Sequence, residues 1–246
     1  MMSFRLTLRT AGRVLMQLRH DRRTMGLMLV VPSVLLTLLK FVFDGRSDVF
    51  NQLGLLLLGI FPYTSMFLVT SVAMLRERES GTLERLLSMP LHKLDLLLGY
   101  GLAFGAVAVV QASVAAAVAY QLLDLQVQGQ VWAVLLIVVS TAVLGSSTGL
   151  LTSAFARTEF QALQFAPAVI IPQLLLCGLI WPREEMAGAL QALSDVVPMR
   201  YAAEALAEVG TYPLPTNTMW RDFGVIVGFV VVLLVLGAVT LRRRSE

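Results

Sequence analysis

Groups able to do covalent or acid–base chemistry are scarce in this chain, and their spacing fits no catalytic site. The two histidines, His20 and His92, form no metal-binding pair, and no HExxH motif occurs. Cys177 is the single cysteine and lies in an apolar run, so no intrachain disulfide can form. The only lysines, Lys40 and Lys93, stand outside any glycine-rich turn, and there is no GxxxxGK[ST] phosphate-binding loop. An enzyme is not expected here, and ATP-driven work would need its energy from another chain.

The most structured polar segment is Arg76-Glu77-Arg78-Glu79-Ser80-Gly81-Thr82-Leu83-Glu84-Arg85-Leu86-Leu87-Ser88-Met89-Pro90. Charge alternates over its first four residues. Ser80-Gly81-Thr82 then breaks the helix and supplies an N-cap, with Glu84 in the next first turn complementing the helix dipole. The spacing predicts a two-turn helix over 82–89 with Leu83, Leu86 and Leu87 on one side, ended by Pro90. A solvated loop that only joins two spans is the plainer reading. The apolar side of a short capped helix, however, needs a partner surface.

The elements around this segment follow from composition. With 57% hydrophobic and 14% charged residues and a mean hydropathy of +0.77, the chain reads as an all-α integral membrane protein, a single domain over 1–246. Taking about 20 apolar residues as one crossing, six transmembrane helices are expected, near 25–43, 53–75, 96–120, 131–155, 160–181 and 223–241. Fourteen Lys and Arg residues fall on the side holding the N-terminal arm, the 76–92 segment with Lys93 after it, Arg157 and the C-terminal tail. Arg46, Arg183, Arg200 and Arg221 fall on the other. The positive-inside rule therefore puts both termini and the 76–92 segment in the cytoplasm of a multi-pass cell-membrane protein. Lys40, near an outer span end, is expected to snorkel outward.

Residues 1–24 are expected to form an interfacial helix. Phe4, Leu8, Ala11, Val14, Leu15 and Leu18 share one face, and Arg5, Arg9, Arg13 and Arg19 flank the other, toward anionic headgroups. Residues 182–210 carry two half-length amphipathic pieces separated by Pro198, either a re-entrant helical hairpin in the outer leaflet or helices resting on the protein, with their charges in external water. Gly101/Gly105, Gly145/Gly149 and Gly224/Gly228 offer close helix approach. Pro32, Pro62, Pro167 and Pro172 are expected to kink the first, second and fifth spans. Inside the spans, Lys40 aside, only uncharged polar groups such as Gln111, Gln164 and Gln173 are expected, which argues against ion-coupled secondary transport.

At the residues Glu77-Arg78-Glu79-Ser80-Gly81-Thr82-Leu83-Glu84-Arg85-Leu86-Leu87, followed by Pro90, the chain resembles the E-R-E-x-G-T-L-E signature of the type-2 ABC transporter permeases. Gly178-Leu179-Ile180-Trp181-Pro182 through Pro198-Met199-Arg200-Tyr201 is similar to a second, softer motif of that family. Trp181 stands where Phe is common. The resemblance implies that 76–92 is the coupling helix region, with Glu77, Glu79, Gly81, Thr82, Leu83, Glu84, Arg85 and Leu86 docking on a separate ATP-binding subunit that holds ATP and Mg. This chain would itself bind no cofactor. The resemblance also implies a dimer of permeases exporting substrate by alternating access, the second and fifth spans lining the path. Phe61, Tyr63, Phe67, Phe165 and Gln173 are the path residues expected from those spans, and their apolar character suits a drug-like or lipid-like cargo. An ATPase-independent channel or secondary transporter, or a membrane anchor that recruits a cytoplasmic partner, are the competing classes.

Overall fold

The computed structural model describes residues 4–80 and 93–240, and every regular element among them is helical. In chain order these are α1 (Phe4–His20), α2 (Arg22–Val42), α3 (Ser47–Glu79), α4 (Lys93–Ala117, continued by a π turn Val118–Leu122), α5 (Val131–Ser153), α6 (Glu159–Leu176), α7 (Gly188–Ser194), α8 (Pro198–Thr211) and α9 (Asn217–Thr240). Six of them, α2, α3, α4 with its π turn, α5, α6 and α9, are long and apolar enough to cross a membrane, as the hydropathy pattern predicts. The helix expected over 82–89 lies outside the described residues.

Helix ends depart from the expected spans for reasons of capping. The apolar run predicts a second span over 53–75, but α3 has 33 residues, about 50 Å at 1.5 Å per residue, because its polar ends can continue a helix beyond the apolar stretch. The last helix starts at Asn217, not near 223, because the Thr216 hydroxyl accepts the Met219 N–H at 3.1 Å. The fifth ends at Leu176, well before 181, where Gly178 takes φ +87° just past the C-cap. Asp21 separates α1 from α2. Its carboxylate accepts the Thr24 hydroxyl at 2.7 Å and the Thr24 N–H at 3.1 Å, and the hydroxyl first, then the amide, hold it below the usual carboxylate range.

The core is built on α3 packed along α5, the most extensive helix pairing. A Cβ on Gly145 would stand 2.2 Å from the Tyr63 carbonyl oxygen, and one on Gly149 2.5 Å from that of Phe67. Both small residues let α5 lie directly on the α3 backbone. Among the described residues the other two glycine pairs are not used this way: Gly101, Gly224 and Gly228 meet nothing within 4 Å. Around this centre α2 and α9 expose apolar rows, among them Leu27, Val30, Val34 and Leu38, and Val227, Val231, Val235 and Val239. Lipid tails solvate such faces without cost. Several hydroxyls inside the spans bond their own helix, as Thr141 does to the Ile137 carbonyl at 2.6 Å, whereas the buried Thr70 and Ser71 hydroxyls have no hydrogen-bond partner among the described residues. Lys40 does not simply reach outward: its Nζ sits 4.7 Å from the centroid of the buried Phe50 ring.

The inward face of α1 is rotated from the one expected. Thr7, Thr10, Ala11, Val14 and Leu18 are buried, while Leu8 is half exposed. The cause is Gly99 of α4, where an added Cβ would meet Thr10 Cβ at 2.7 Å. Small residues therefore make the contact at Gly99, and Leu8 stays outside. Arg5, Arg9 and Arg19 remain exposed as expected, but Arg13 turns inward.

At the opposite end, α8 rests on α3, α5 and α9, burying Met199, Ala202, Leu206 and Val209. The neighbouring α7 leaves Leu190 and Leu193 exposed. The charges here were expected in free water, yet they form a connected chain. Asp195 pairs with Arg183 at 2.7 Å and with Arg200. Arg200 continues to Glu204 at 3.4 Å, Glu204 to Arg221 at 2.9 Å, and Arg221 to Asp222 at 2.8 Å. Asp222 is fully buried and lies in the second turn of α9, so the expected last span, 223–241, starts too late and leaves out an acidic residue. It was missed because the apolar run begins one residue later, at Phe223.

Candidate functional site

Alternating charge has a three-dimensional consequence on a helix, since successive side chains point 100° apart. The last turn of α3 therefore fans its four charges in different directions. Arg76 reaches α6, its Nε donating to Glu159 Oε1 at 2.7 Å and its Nη2 to Oε2 at 3.2 Å. Arg78 donates from Nη1 to the Ser153 carbonyl at 2.6 Å, at the C-terminal end of α5 where a cation suits the helix dipole. Glu77 turns to α1 and accepts from Arg13 Nη1 at 2.9 and 3.2 Å, its side chain only 9% exposed. Glu79 is exposed. Ser80 then caps the helix with its N–H on the Arg76 carbonyl at 2.9 Å.

Of the eight docking residues expected from the sequence, Glu77 and Glu79 are described and point to different places. Glu79 faces outward, whereas Glu77 is an internal ion-pair partner. Gly81, Thr82, Leu83, Glu84, Arg85 and Leu86 lie outside the described residues. Three anchors of this turn were not foreseen: Arg13, Glu159 and the Ser153 carbonyl. Only Glu159 carried a usable signal, as an acidic residue in the first turn after the N-cap Thr158.

The expected path residues divide in two. Tyr63 and Phe67 are buried in the α3–α5 seam. Gln173 of α6, also buried, donates from Nε2 to the Tyr63 hydroxyl at 2.6 Å, which ties the second span to the fifth. Phe61 and Phe165 are partly exposed, on α3 and α6. Phe165 packs against the small cluster of Leu75, Ala156 and Ala162, toward the charged end of α3. A second buried amide, Gln111 of α4, donates to the Met28 carbonyl at 3.0 Å and to Ser65 Oγ, linking α4 to α2 and α3. Tyr63→Phe removes the acceptor of Gln173 and leaves its amide with only the long 3.3 Å bond to Val169. The expected cost is about 1 kcal/mol, read as a lower melting temperature of the detergent-solubilised protein.

The run Gly145-Ser146-Ser147-Thr148-Gly149 spells a GxSxG pattern, but its geometry is not that of a nucleophile. Ser147 sits mid-helix and donates to the Val143 carbonyl at 2.9 Å, and both glycines serve the α3 contact. A nucleophile elbow needs a strand-to-helix turn instead.

The sequence profile of the ABC-2 type transporter family matches residues 7–209, from α1 through α8. The chain belongs to this family. With six helices long and apolar enough to cross a membrane, it is a multi-pass membrane member of that family. Among similar proteins, ABC transporter G family member 20 of Dictyostelium discoideum is 25% identical over 180 residues, 72% of this chain and 25% of that protein. The probable multidrug ABC transporter permease YbhR of Escherichia coli K12 is 26% identical over 166 residues, 68% of this chain and 45% of its own length. The linearmycin resistance permease protein LnrN of Bacillus subtilis is 23% identical over 168 residues, again 68% of this chain and 43% of that one. The chain thus spans less than half the length of each of these relatives.

Proposed function

We propose that this ABC-2 family member is the permease of an ATP-driven exporter in the inner or plasma membrane, with both termini cytoplasmic. A separate subunit binds ATP and Mg and docks on the coupling helix region at 76–92. Two permease copies, identical or different, complete the transporter. The observation that carries this reading is the triple anchoring of the last turn of α3. A segment hanging from a turn fixed to α1, α5 and α6 can pass a push into the whole bundle, and a free loop cannot.

Alternating access would then open the α3–α6 side. Phe61 and Phe165 are placed to meet cargo directly, while Tyr63, Phe67 and Gln173 would join the path only as α6 leaves α3. The multidrug and linearmycin-resistance names of two relatives favour a hydrophobic or amphipathic cargo, drug-like or lipid-like. Gly81→Pro and Glu79→Arg are expected to abolish co-purification with the ATP-binding subunit and ATP-dependent efflux, at unchanged permease abundance. Unaltered binding and efflux in both would sink the docking assignment.

A further inference from the structure

We propose that Arg13 is a positioning residue that makes α1 a structural brace of the docking segment, by holding both ends from which that segment hangs. This rests on the docking reading above. In the sequence, residues 81–92 join the end of α3 to the start of α4. The Arg13 guanidinium bonds both sides at once: Nη1 donates to Glu77 on α3, at 2.9 Å, and Nη2 donates to the Tyr100 hydroxyl on α4, at 2.9 Å. A planar fork can serve two partners in fixed geometry, and an ammonium cannot do so equally well. Register is fixed one turn earlier in α1, where Thr10 lies against Gly99, the residue before Tyr100.

Across the gap between α1 and α3 this link has little support from packing. A cleft of about 460 Å³ lies between them, walled by Val14 and Leu18 on one side and Leu68, Val72 and Ala73 on the other. A second side-chain ion pair at this turn, Arg76 with Glu159, is 59% and 41% exposed and is screened by water. Glu77 is buried, so its partner cannot be withdrawn without leaving a charge uncompensated. A displacement of residues 81–92 therefore moves the α3 end, α1 and the α4 start together instead of bending α3 at Ser80.

The test uses the full chain with its ATP-binding subunit in lipid nanodiscs. Because Arg13→Ala leaves Glu77 alone and could unfold the protein, the decisive variant is the compensated pair Arg13→Met with Glu77→Met. Arg13→Lys serves as the conservative form. Two readouts are taken. The first is the change in maleimide labelling of Leu190→Cys, in exposed α7, produced by ATP with vanadate. The second is amide hydrogen exchange of residues 76–80 in the permease alone.

The pair variant is expected to keep wild-type abundance, to lose the nucleotide-dependent labelling change, and to exchange at least tenfold faster at 76–80. Arg13→Lys is expected to restore part of both. Wild-type exchange, or a full labelling response, in the Met pair would overturn the brace. If Gly81→Pro shows that docking itself was misassigned, the labelling difference vanishes for all variants while the exchange difference remains, so the two failures are distinguishable.

Discussion

Gly145→Ala is expected to destabilise this protein by about 3 kcal/mol, a large effect for adding one methyl group. The added carbon would lie 2.2 Å from the Tyr63 carbonyl oxygen and 2.9 Å from two further backbone atoms of that residue. No rotamer change relieves such a clash, since everything it meets is main chain, so α5 must slide off α3 or tilt. One turn on, Gly149 faces the Phe67 carbonyl in the same way, and a shift that relieves one site strains the other. The intrinsic helix preference for alanine over glycine, about 1 kcal/mol, works in the opposite direction and is outweighed. Thermal unfolding of the purified permease measures the change, with Gly224→Ala as the control. Gly224 meets nothing within 4 Å, so that substitution is expected to be neutral or slightly stabilising. Equal melting temperatures for Gly145→Ala and wild type would mean that the two helices do not approach so closely.

The same residues show what the sequence reveals and what it does not. Hydropathy gives the six crossing helices because lipid demands an apolar exterior over a fixed length, and each long apolar run here becomes a helix of that kind. A small-xxx-small spacing states that close approach is allowed, but not with which neighbour; Gly145/Gly149 and Gly224/Gly228 look alike in sequence and differ completely in contact. Charges are read least well, because their meaning depends on partners far along the chain. Glu77 is 64 residues from Arg13 and belongs to the same four-residue run as the exposed Glu79, yet it is internal. Arg13 looked like one more arginine for headgroups until Gly99 set the rotation of α1. Asp222 was set outside the last span because its acidity hides helix propagation, whereas Thr216 caps the helix six residues before it.

Asp222 gives the second large prediction. Its side chain is fully buried, one carboxylate oxygen accepts from Arg221, and the other has no hydrogen-bond partner among the described residues. Arg221→Ala therefore strips a buried carboxylate of its counter-ion and cuts the Glu204 end of the ion-pair chain, which Arg200 then holds alone at 3.4 Å. Removing one partner of a buried pair costs about 3–5 kcal/mol; Arg221 is itself half exposed, and water lowers that to roughly 2 kcal/mol here. Asp222→Asn keeps the shape and an acceptor for Arg221 and removes the charge, so about 1 kcal/mol is expected. The two should not add. With the charge gone, Arg221 has less to neutralise, and the double variant is expected to lie near Asp222→Asn alone, a coupling of about 1–2 kcal/mol in the unfolding cycle. Strict additivity would place Asp222 in water and dissolve the link between α9 and the α8 hairpin. A coupling of the expected size makes these charges one mechanical unit, joined to the bundle through the buried Asp222.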